Sequence, residues 1–256
     1  MENFAGYVAS GLIGVSLGLI GGGGSIITIP VLVYLFHIEP TLATVYSLFI
    51  VGITSLVGGV RSAYNNLVDF KSAFLFAIPS TAGVYFTRHY LLPQIPDTIF
   101  IIHDFTFTKD VVLMLFFSIV MVLASVRMIR NKQPDDQHHD SQLHVGMIVL
   151  QGLAIGILTG IVGAGGGFLI IPALVLLVGL PMKKAIGTSL IIIAINSLIG
   201  FAGDLSLIPE INLSLMVTLT VLAIAGVFLG TYMSRFINGK NLKSGFGWFA
   251  FAMALF

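Results

Sequence analysis

The same segment occurs twice in the amino-acid sequence. Shifted by 142 positions, residues 11–62 align without a gap on residues 153–204, and 19 of the 52 positions are identical. Two apolar segments share some Leu and Ile by chance. They do not share several glycines, two serines and a proline (Pro30 and Pro172) in register. At a shift of 143, residues 82–84 fall on residues 225–227, so the match continues further. An internal repeat predicts that both halves fold alike.

The repeated segments are too apolar for a water-soluble protein. Hydrophobic residues make up 57% of the 256-residue chain and charged residues 9%, whereas a soluble domain carries about 25% charged residues. This composition excludes a soluble enzyme and a disordered tail, and the net charge of +1 argues against a nucleic-acid binder. With no cysteine in the chain, disulfides and thiolate chemistry are excluded too. The sequence predicts an integral membrane protein.

Each half contains five apolar segments, and a polar stretch joins the halves. We expect a first repeat over 1–130, a linker over 131–143 and a second repeat over 144–256, all within one membrane domain. Met1–Phe4 lacks the basic residues of a signal peptide, and the short last segment, 246–256, suggests that the natural chain continues. The predicted helices are 5–20, 25–36, 42–60, 72–91 and 110–130 in the first half, and 147–162, 168–178, 185–203, 213–235 and 245 onward in the second.

The two segments flanking each glycine cluster are too short to cross a bilayer comfortably, since a helix rises only about 1.5 Å per residue. They form either one broken helix or a hairpin that enters and returns. With a hairpin, ten of the twelve Lys and Arg residues lie on one side, leaving only Arg88 and Lys109 on the other; a broken helix divides them five to seven. The positive-inside rule favours the hairpin. We therefore predict an all-α integral membrane protein of two inverted repeats, each a re-entrant pair plus three transmembrane helices, with both termini outside the cytoplasm.

The glycine clusters are the best candidates for a binding site. Unwound backbone inside a membrane needs a functional reason, and the first N–H groups of the helix that follows carry partial positive charge. Two such helix starts facing each other predict a site for an anion, formed without charged side chains. The competing interpretation is that these glycines only allow close helix packing. The residues concerned are Gly21, Gly22, Gly23, Gly24, Ser25, Gly163, Gly165, Gly166 and Gly167.

Polar residues on the third helix of each half complete the predicted site. Ser47 and Ser189 are equivalent in the repeat, Thr188 is opposite Tyr46, and Asn196 is opposite Thr54. Their hydroxyl and amide groups can bind an oxyanion by hydrogen bonds, although such groups also join membrane helices. We include Ser47, Thr188, Ser189 and Asn196 as substrate-binding candidates.

Few charged residues lie near the predicted membrane segments. Arg61 and Asp204 end equivalent helices and are candidates for gating or for attracting an anion, although residues at such positions are more often interfacial anchors. No Asp or Glu lies in the middle of a predicted helix, which gives no support for proton coupling through a buried carboxylate.

Enzymatic and metal-binding alternatives have weaker support. An intramembrane serine hydrolase using Ser25 would need a base, and no His lies in the middle of a predicted helix. His138 and His139, with nearby aspartates, are typical of a solvated linker rather than a metal site. We expect no enzyme activity, no cofactor and no metal; the expected partners are a small anion and the lipid bilayer, and the phenylalanine-rich surface is compatible with a homodimer.

The glycine motifs resemble those of the sulfite exporter TauE/SafE family. The resemblance rests on residues 21–25 with Pro30, residues 163–167 with Pro172, and residues 187–190, and it covers nearly the whole chain. It implies a bacterial inner-membrane transporter that exports sulfite, an organosulfonate or a related sulfur oxyanion. The first repeat departs from the motif, because residues 45–48 read Val-Tyr-Ser-Leu instead of Gly-Thr-Ser-Leu. An anion channel with the same backbone site is the alternative function.

Overall fold

The structure is a computed structural model. It describes residues 2–91, 94, 98–102, 105–130, 145–162, 164–204 and 212–255. The expected linker, 131–143, lies outside the described residues.

Both halves are helical, and within the described ranges each forms the five α-helices named here. The first half forms α1 (Glu2–Ile20), α2 (Gly23–Phe36), α3 (Pro40–Tyr64), α4 (Phe70–Phe86) and α5 (Lys109–Arg130). The second half forms α6 (Val145–Val162), α7 (Ile170–Leu176), α8 (Met182–Asp204), α9 (Leu213–Ser234) and α10 (Gly239–Leu255). The helices fall in the order that the sequence predicts.

Three local features differ from the expected helices. The segment predicted over 72–91 is α-helical only to Phe86 and continues as a π-helix, Thr87–Leu91. A short antiparallel hairpin of β1 (Thr98–Ile102) and β2 (Phe105–Thr108) precedes α5, and no hydrophobic pattern had suggested it. The last helix begins at Gly239 rather than near residue 245.

The first two helices fold back on each other. A Cβ built at Gly24, early in α2, would lie 2.6 Å from the carbonyl oxygen of Ile13 in α1. At the other end of the pair, the ring of Phe36 packs against Tyr7 with 5.7 Å between ring centroids. The helices are therefore antiparallel and form a hairpin rather than one interrupted helix. His37 ends α2 in the left-handed conformation (φ 52°) and turns the chain toward α3.

Contacts between the halves repeat in pairs. A Cβ at Gly14 in α1 would overlap the backbone carbonyl of Ala223 in α9, and a Cβ at Gly156 in α6 would overlap that of Ser80 in α4. Gly14 and Gly156 are equivalent at a shift of 142, and Ser80 and Ala223 at a shift of 143. The first helix of each half thus packs against the fourth helix of the other half by the same backbone contact.

The third helices, α3 and α8, form the centre of the molecule and run antiparallel. Cβ atoms built on Gly52 of α3 and Gly200 of α8 would lie 2.9 Å from Leu198 and 3.4 Å from Leu48, respectively. The end of α3 likewise meets the start of α8, where Gly187 lies against Ser62 and Leu67. The end of each of these two helices therefore lies beside the start of the other.

The outer surface is apolar. Among the described helices, α3, α8 and α9 are long and apolar enough to cross a membrane. Large apolar side chains are exposed on α4 and α9, among them Phe74, Ile78, Val217, Val221 and Leu229. Such a surface fits lipid rather than water, and the chain is a helical membrane protein.

Replacing Gly14 with alanine tests the packing of α1 on α9. The added methyl group would overlap the Ala223 carbonyl, and overpacking of this kind costs about 1–3 kcal/mol. We expect a lower midpoint of thermal unfolding in detergent. Gly11→Ala, also in α1, is the matched control, because a Cβ there meets nothing within 4 Å and alanine favours helix. Equal midpoints for the two variants would contradict this packing.

Candidate functional site

The first glycine cluster makes a tight turn between α1 and α2. Gly21 adopts φ +86°, a conformation that side chains other than hydrogen rarely tolerate, and its N–H donates to the Leu17 carbonyl over 2.7 Å. Only Gly21 and Gly22 are unwound, since α2 begins at Gly23. Gly23, Gly24 and Ser25 therefore form the first turn of α2, where N–H groups have no partner within the helix.

Ser25 closes this turn from within. Its hydroxyl donates to the Gly22 carbonyl over 2.8 Å, and its N–H also points to that oxygen, at 3.3 Å. In this conformation the buried Ser25 side chain stabilises the turn. Its hydroxyl hydrogen is used in the bond to Gly22, and its oxygen can still accept a hydrogen bond.

The second glycine cluster has a different backbone from the first. Gly165, Gly166 and Gly167 lie in a 3-10 helix, Ala164–Leu169, which leads into the short α7. The expected α-helix from residue 168 to 178 is therefore wrong at both ends. Gly163 lies outside the described residues.

The two glycine segments meet each other. A Cβ built at Gly22 would lie 3.1 Å from the Cα of Phe168 and 3.4 Å from the carbonyl oxygen of Gly167. Phe168 is fully buried and stacks on Phe246 with 4.5 Å between centroids. Because Gly22 and Phe168 are in contact, a ligand can lie between them only if the two glycine segments separate.

Two serine hydroxyls border the first turn. A Cβ at Gly21 would lie 2.9 Å from the Ser189 oxygen, and one at Gly23 would lie 2.8 Å from the Ser16 oxygen. Ser189 donates to the Ile186 carbonyl over 2.8 Å. The hydroxyl of Ser16 is buried and has no hydrogen-bond partner among the described residues. The turn thus combines helix N–H groups with hydroxyl groups.

Further unpaired hydroxyls lie on α3. Ser47, Thr54 and Ser55 are fully buried and lack a hydrogen-bond partner within the described part of the chain. Positions seven and eight apart share one face of a helix, so the three hydroxyls point to the same side of α3. Ser47 is the repeat equivalent of Ser189, and α3 contacts the 3-10 segment. Unpaired buried hydroxyls are rare and call for a water or a ligand.

Thr188 occupies a structural position. Its hydroxyl accepts a hydrogen bond of 3.0 Å from the backbone N–H of Asp69, the residue that precedes α4. The Tyr46 hydroxyl accepts the corresponding bond, of 2.6 Å, from Asn212, which precedes α9. Thr188 and Tyr46 are repeat equivalents, so the departure from the family motif at Tyr46 preserves this contact.

Asn196 joins α8 to α4. Its amide nitrogen donates to the Ser80 hydroxyl over 3.0 Å, and its amide oxygen accepts from Thr81. The repeat equivalent of Asn196, Thr54, has no such partner among the described residues. The amide is thus held by α4 in this conformation.

Arg61 and Asp204 do not come together. Because α3 and α8 are antiparallel and both residues lie near the ends of their helices, they occupy opposite ends of the pair. The Arg61 guanidinium lies 4.7 Å from the centroid of the Phe228 ring. No group of three or more His, Cys, Asp or Glu within the described ranges is placed to hold a metal ion; the linker histidines are outside them.

Several polar residues at this centre were not predicted. Ser16, Ser80 and Thr81 lack polar counterparts in the repeat; Leu158, for example, is equivalent to Ser16. The polar site candidates were chosen because they recur at equivalent positions of the two halves, and residues without a polar counterpart do not meet that criterion. Ser16 lies seven residues before Gly23. If α1 and α2 form a hairpin, this spacing places Ser16 beside the start of α2, so the sequence could have predicted Ser16 as a site residue.

Comparison with known proteins gives a consistent result. The family model described as "Sulfite exporter TauE/SafE" matches residues 7–256. A "Probable membrane transporter protein" of Xylella fastidiosa strain 9a5c is 30% identical, with 97% of this chain and 92% of the relative covered. "Probable membrane transporter protein YunE" of Bacillus subtilis is 27% identical, over 94% of this chain and 92% of the relative. No solved structure matches the chain significantly.

Stability measurements separate structural hydroxyls from unpaired ones. Thr188→Val keeps the side-chain shape but leaves the Asp69 N–H without its acceptor, which costs about 1–3 kcal/mol. Ser47→Ala removes a hydroxyl that has no described partner, so we expect an unchanged or higher unfolding midpoint. Thermal unfolding of both variants in detergent is the measurement. A comparable loss in Ser47→Ala would mean that Ser47 makes a structural hydrogen bond.

Proposed function

Because the chain belongs to the sulfite exporter TauE/SafE family, we propose that this membrane transporter is a secondary transporter of a small anion that works by alternating access. The proposed substrate is sulfite, an organosulfonate or a related sulfur oxyanion, and the proposed direction is export. The observation that carries the proposal is the meeting of the two glycine segments, one from each half, at Gly22 and Phe168.

The chemistry at this meeting point favours an anion. The N–H groups of the first turn of α2 present partial positive charge, and the Ser16 and Ser189 hydroxyls lie beside them. Glycine allows a ligand to approach the backbone closely. A sulfite or sulfonate group offers three oxygens that accept hydrogen bonds. The site is proposed to comprise Gly21–Ser25, Gly163, Gly165–Gly167, Ser47 and Ser189, with Thr188 and Asn196 supporting the helices around it.

The inverted arrangement of the halves is part of this proposal. Antiparallel packing of the equivalent helices α3 and α8 is what a twofold axis perpendicular to the helices produces, and such an axis lies in the membrane plane. The paired contacts of α1 with α9 and of α6 with α4 fit the same axis. In transporters built this way, the substrate site lies at the repeat interface, and rocking of one part against the other exposes it alternately to the two sides.

The basic end of the bundle is proposed to face the cytoplasm. Arg61, Lys183 and Arg235 line one cavity, and Arg127 and Arg130 line a groove beside Leu176, at the end of α7. These cations lie in the segments 61–71, 127–144, 179–184 and 235–243, which the positive-inside rule assigns to the cytoplasm. The start of α1 then lies outside, in a bacterial inner membrane.

An anion channel using the same backbone site is the competing function. A channel requires a continuous open path, whereas the buried contact between Gly22 and Phe168 favours a carrier that must move. Saturable flux with counterflow supports the carrier, and unitary currents in planar bilayers would support the channel.

Removing the Ser189 hydroxyl is expected to weaken transport. In Ser189→Ala one of the hydroxyl groups at the first glycine turn is lost, and a hydrogen bond to a charged group contributes about 1.5–3 kcal/mol. We expect at least a tenfold higher KM for uptake of radiolabelled sulfite into inside-out membrane vesicles. Ser214→Ala, at an exposed serine of α9, is the control. An unchanged KM with normal expression would remove Ser189 from the site.

The proposed orientation is testable by labelling, because the chain has no native cysteine. Glu39 and Lys184 are exposed and precede or begin the equivalent helices α3 and α8. In intact cells, a membrane-impermeant maleimide should label Glu39→Cys and should reach Lys184→Cys only after permeabilisation. Lys71→Cys should behave like Lys184→Cys. Labelling of both Glu39→Cys and Lys184→Cys from outside would overturn the inverted arrangement.

A further inference from the structure

A cavity of about 190 Å³ opens at the basic end of the bundle, between the last turns of α3 and α9 and the first turn of α8. Three cationic residues, Arg61, Lys183 and Arg235, line it, together with the hydroxyl-bearing side chains of Ser62, Thr231 and Ser234. None of the described lining residues is acidic. We call this space the basic cavity.

The contacts described for the three cations are with neutral groups. Arg61 stacks over the Phe228 ring at 4.7 Å. Arg235 donates to the side-chain oxygen of Asn65 over 2.9 Å, and the Lys183 ammonium lies 3.5 Å from the Arg235 carbonyl oxygen. Among the described residues, therefore, none of the three cations forms an ion pair with a carboxylate. A concave site of one charge sign with apolar walls concentrates ions of the opposite sign.

The basic cavity lies next to the first glycine turn. Gly18, near the end of α1, and Ile186, in α8, both line it. A Cβ built at Gly21 would lie 3.1 Å from the Cα and from a side-chain methyl carbon of Ile186. Ser189, which borders the same turn, is three residues further along α8. Ile186 thus lies both in the wall of the cavity and against the glycine turn of the proposed substrate site.

The repeat does not reproduce these cations at the opposite end. Arg61 is equivalent to Gly203, and Lys183 to Thr41, at a shift of 142; Arg235 is equivalent to Leu92 at a shift of 143. The halves share their packing contacts but not this charge. These cations therefore lie at one end of the bundle only, which fits a site that serves one side of the membrane.

We propose that the basic cavity is a second anion-binding site, which captures the substrate oxyanion on the cytoplasmic side before it reaches the glycine turns. The proposal rests on the transport function proposed above and adds a separate site to it. Arg61 and Arg235 offer planar guanidinium groups that bind the oxygens of a sulfite or sulfonate in pairs, and Lys183 adds a third charge. Attraction by these charges raises the local concentration of substrate at Ile186. The attraction weakens at higher salt concentration, because salt screens the charges.

Charge removal in the basic cavity tests the proposal. In inside-out vesicles, Arg61→Gln and Arg235→Gln should each raise the KM for sulfite uptake about 5-fold to 10-fold with little change in maximal rate, and should flatten its dependence on ionic strength. Lys71→Gln is the matched control, because Lys71 is an exposed cation on the same predicted side that does not line the cavity. Arg61→Lys keeps the charge but loses the paired guanidinium contacts, so its KM should lie between those of the unmodified protein and Arg61→Gln.

Equilibrium binding provides a second, independent readout. Sulfite should raise the unfolding midpoint of the detergent-purified protein at low ionic strength, and the double variant Arg61→Gln, Arg235→Gln should lose most of that shift while folding normally without ligand. The basic cavity would be overturned as a binding site if both single variants kept the KM of the unmodified protein. It would also be overturned if sulfite raised the unfolding midpoint of the double variant as much as that of the unmodified protein. Absence of saturable flux in the unmodified protein would instead overturn the transport proposal, and the binding measurement would still decide the cavity.

Discussion

Backbone contact at glycine is the interaction on which the rest of the structure depends. Gly14 and Gly156 bring α1 and α6 so close to the fourth helix of the other half that a single methyl group would overlap a carbonyl. In a bilayer, helices gain little from burying apolar surface, because lipid is equally apolar; close packing of small residues provides the attraction instead. These contacts hold α1 and α6 against the opposite half and so bring the two glycine segments together.

The same residue type therefore has two roles in this chain. Along α1 and α6, glycine permits close packing, which was the competing interpretation of all the glycine clusters. At Gly21, glycine permits a turn with φ +86° that ends one helix and starts another in the opposite direction. Such a turn within the apolar part of a protein leaves N–H groups for another acceptor. The packing contacts and the proposed site are thus consequences of one property, the absence of a side chain.

The sequence predicted the helices and the reversal of the chain between α1 and α2, because periodic hydrophobicity is recorded in many residues at once. The arrangement of the two halves as inverted repeats stays a prediction. The sequence did not distinguish the two glycine clusters, since glycine is compatible with the turn at Gly21 and with the 3-10 helix over Ala164–Leu169. Nor did it identify the bond that Thr188 accepts from Asp69, 119 residues away in the chain. Long-range polar contacts depend on side-chain geometry, and recurrence in a repeat does not reveal their partners.

The repeat also shows where the halves have diverged. If both were identical, the inward-open and outward-open states of an alternating-access carrier would be equal in energy and would bind substrate equally from either side. Divergence at the helix contacts would cost stability, which explains why Gly14 and Gly156 are matched. Divergence at the ends of the bundle costs little and can change the energy of each state separately. The cations of the basic cavity are differences of this second kind. Under the proposed transport mechanism, they are the positions at which the two halves would acquire a preferred side for an anion.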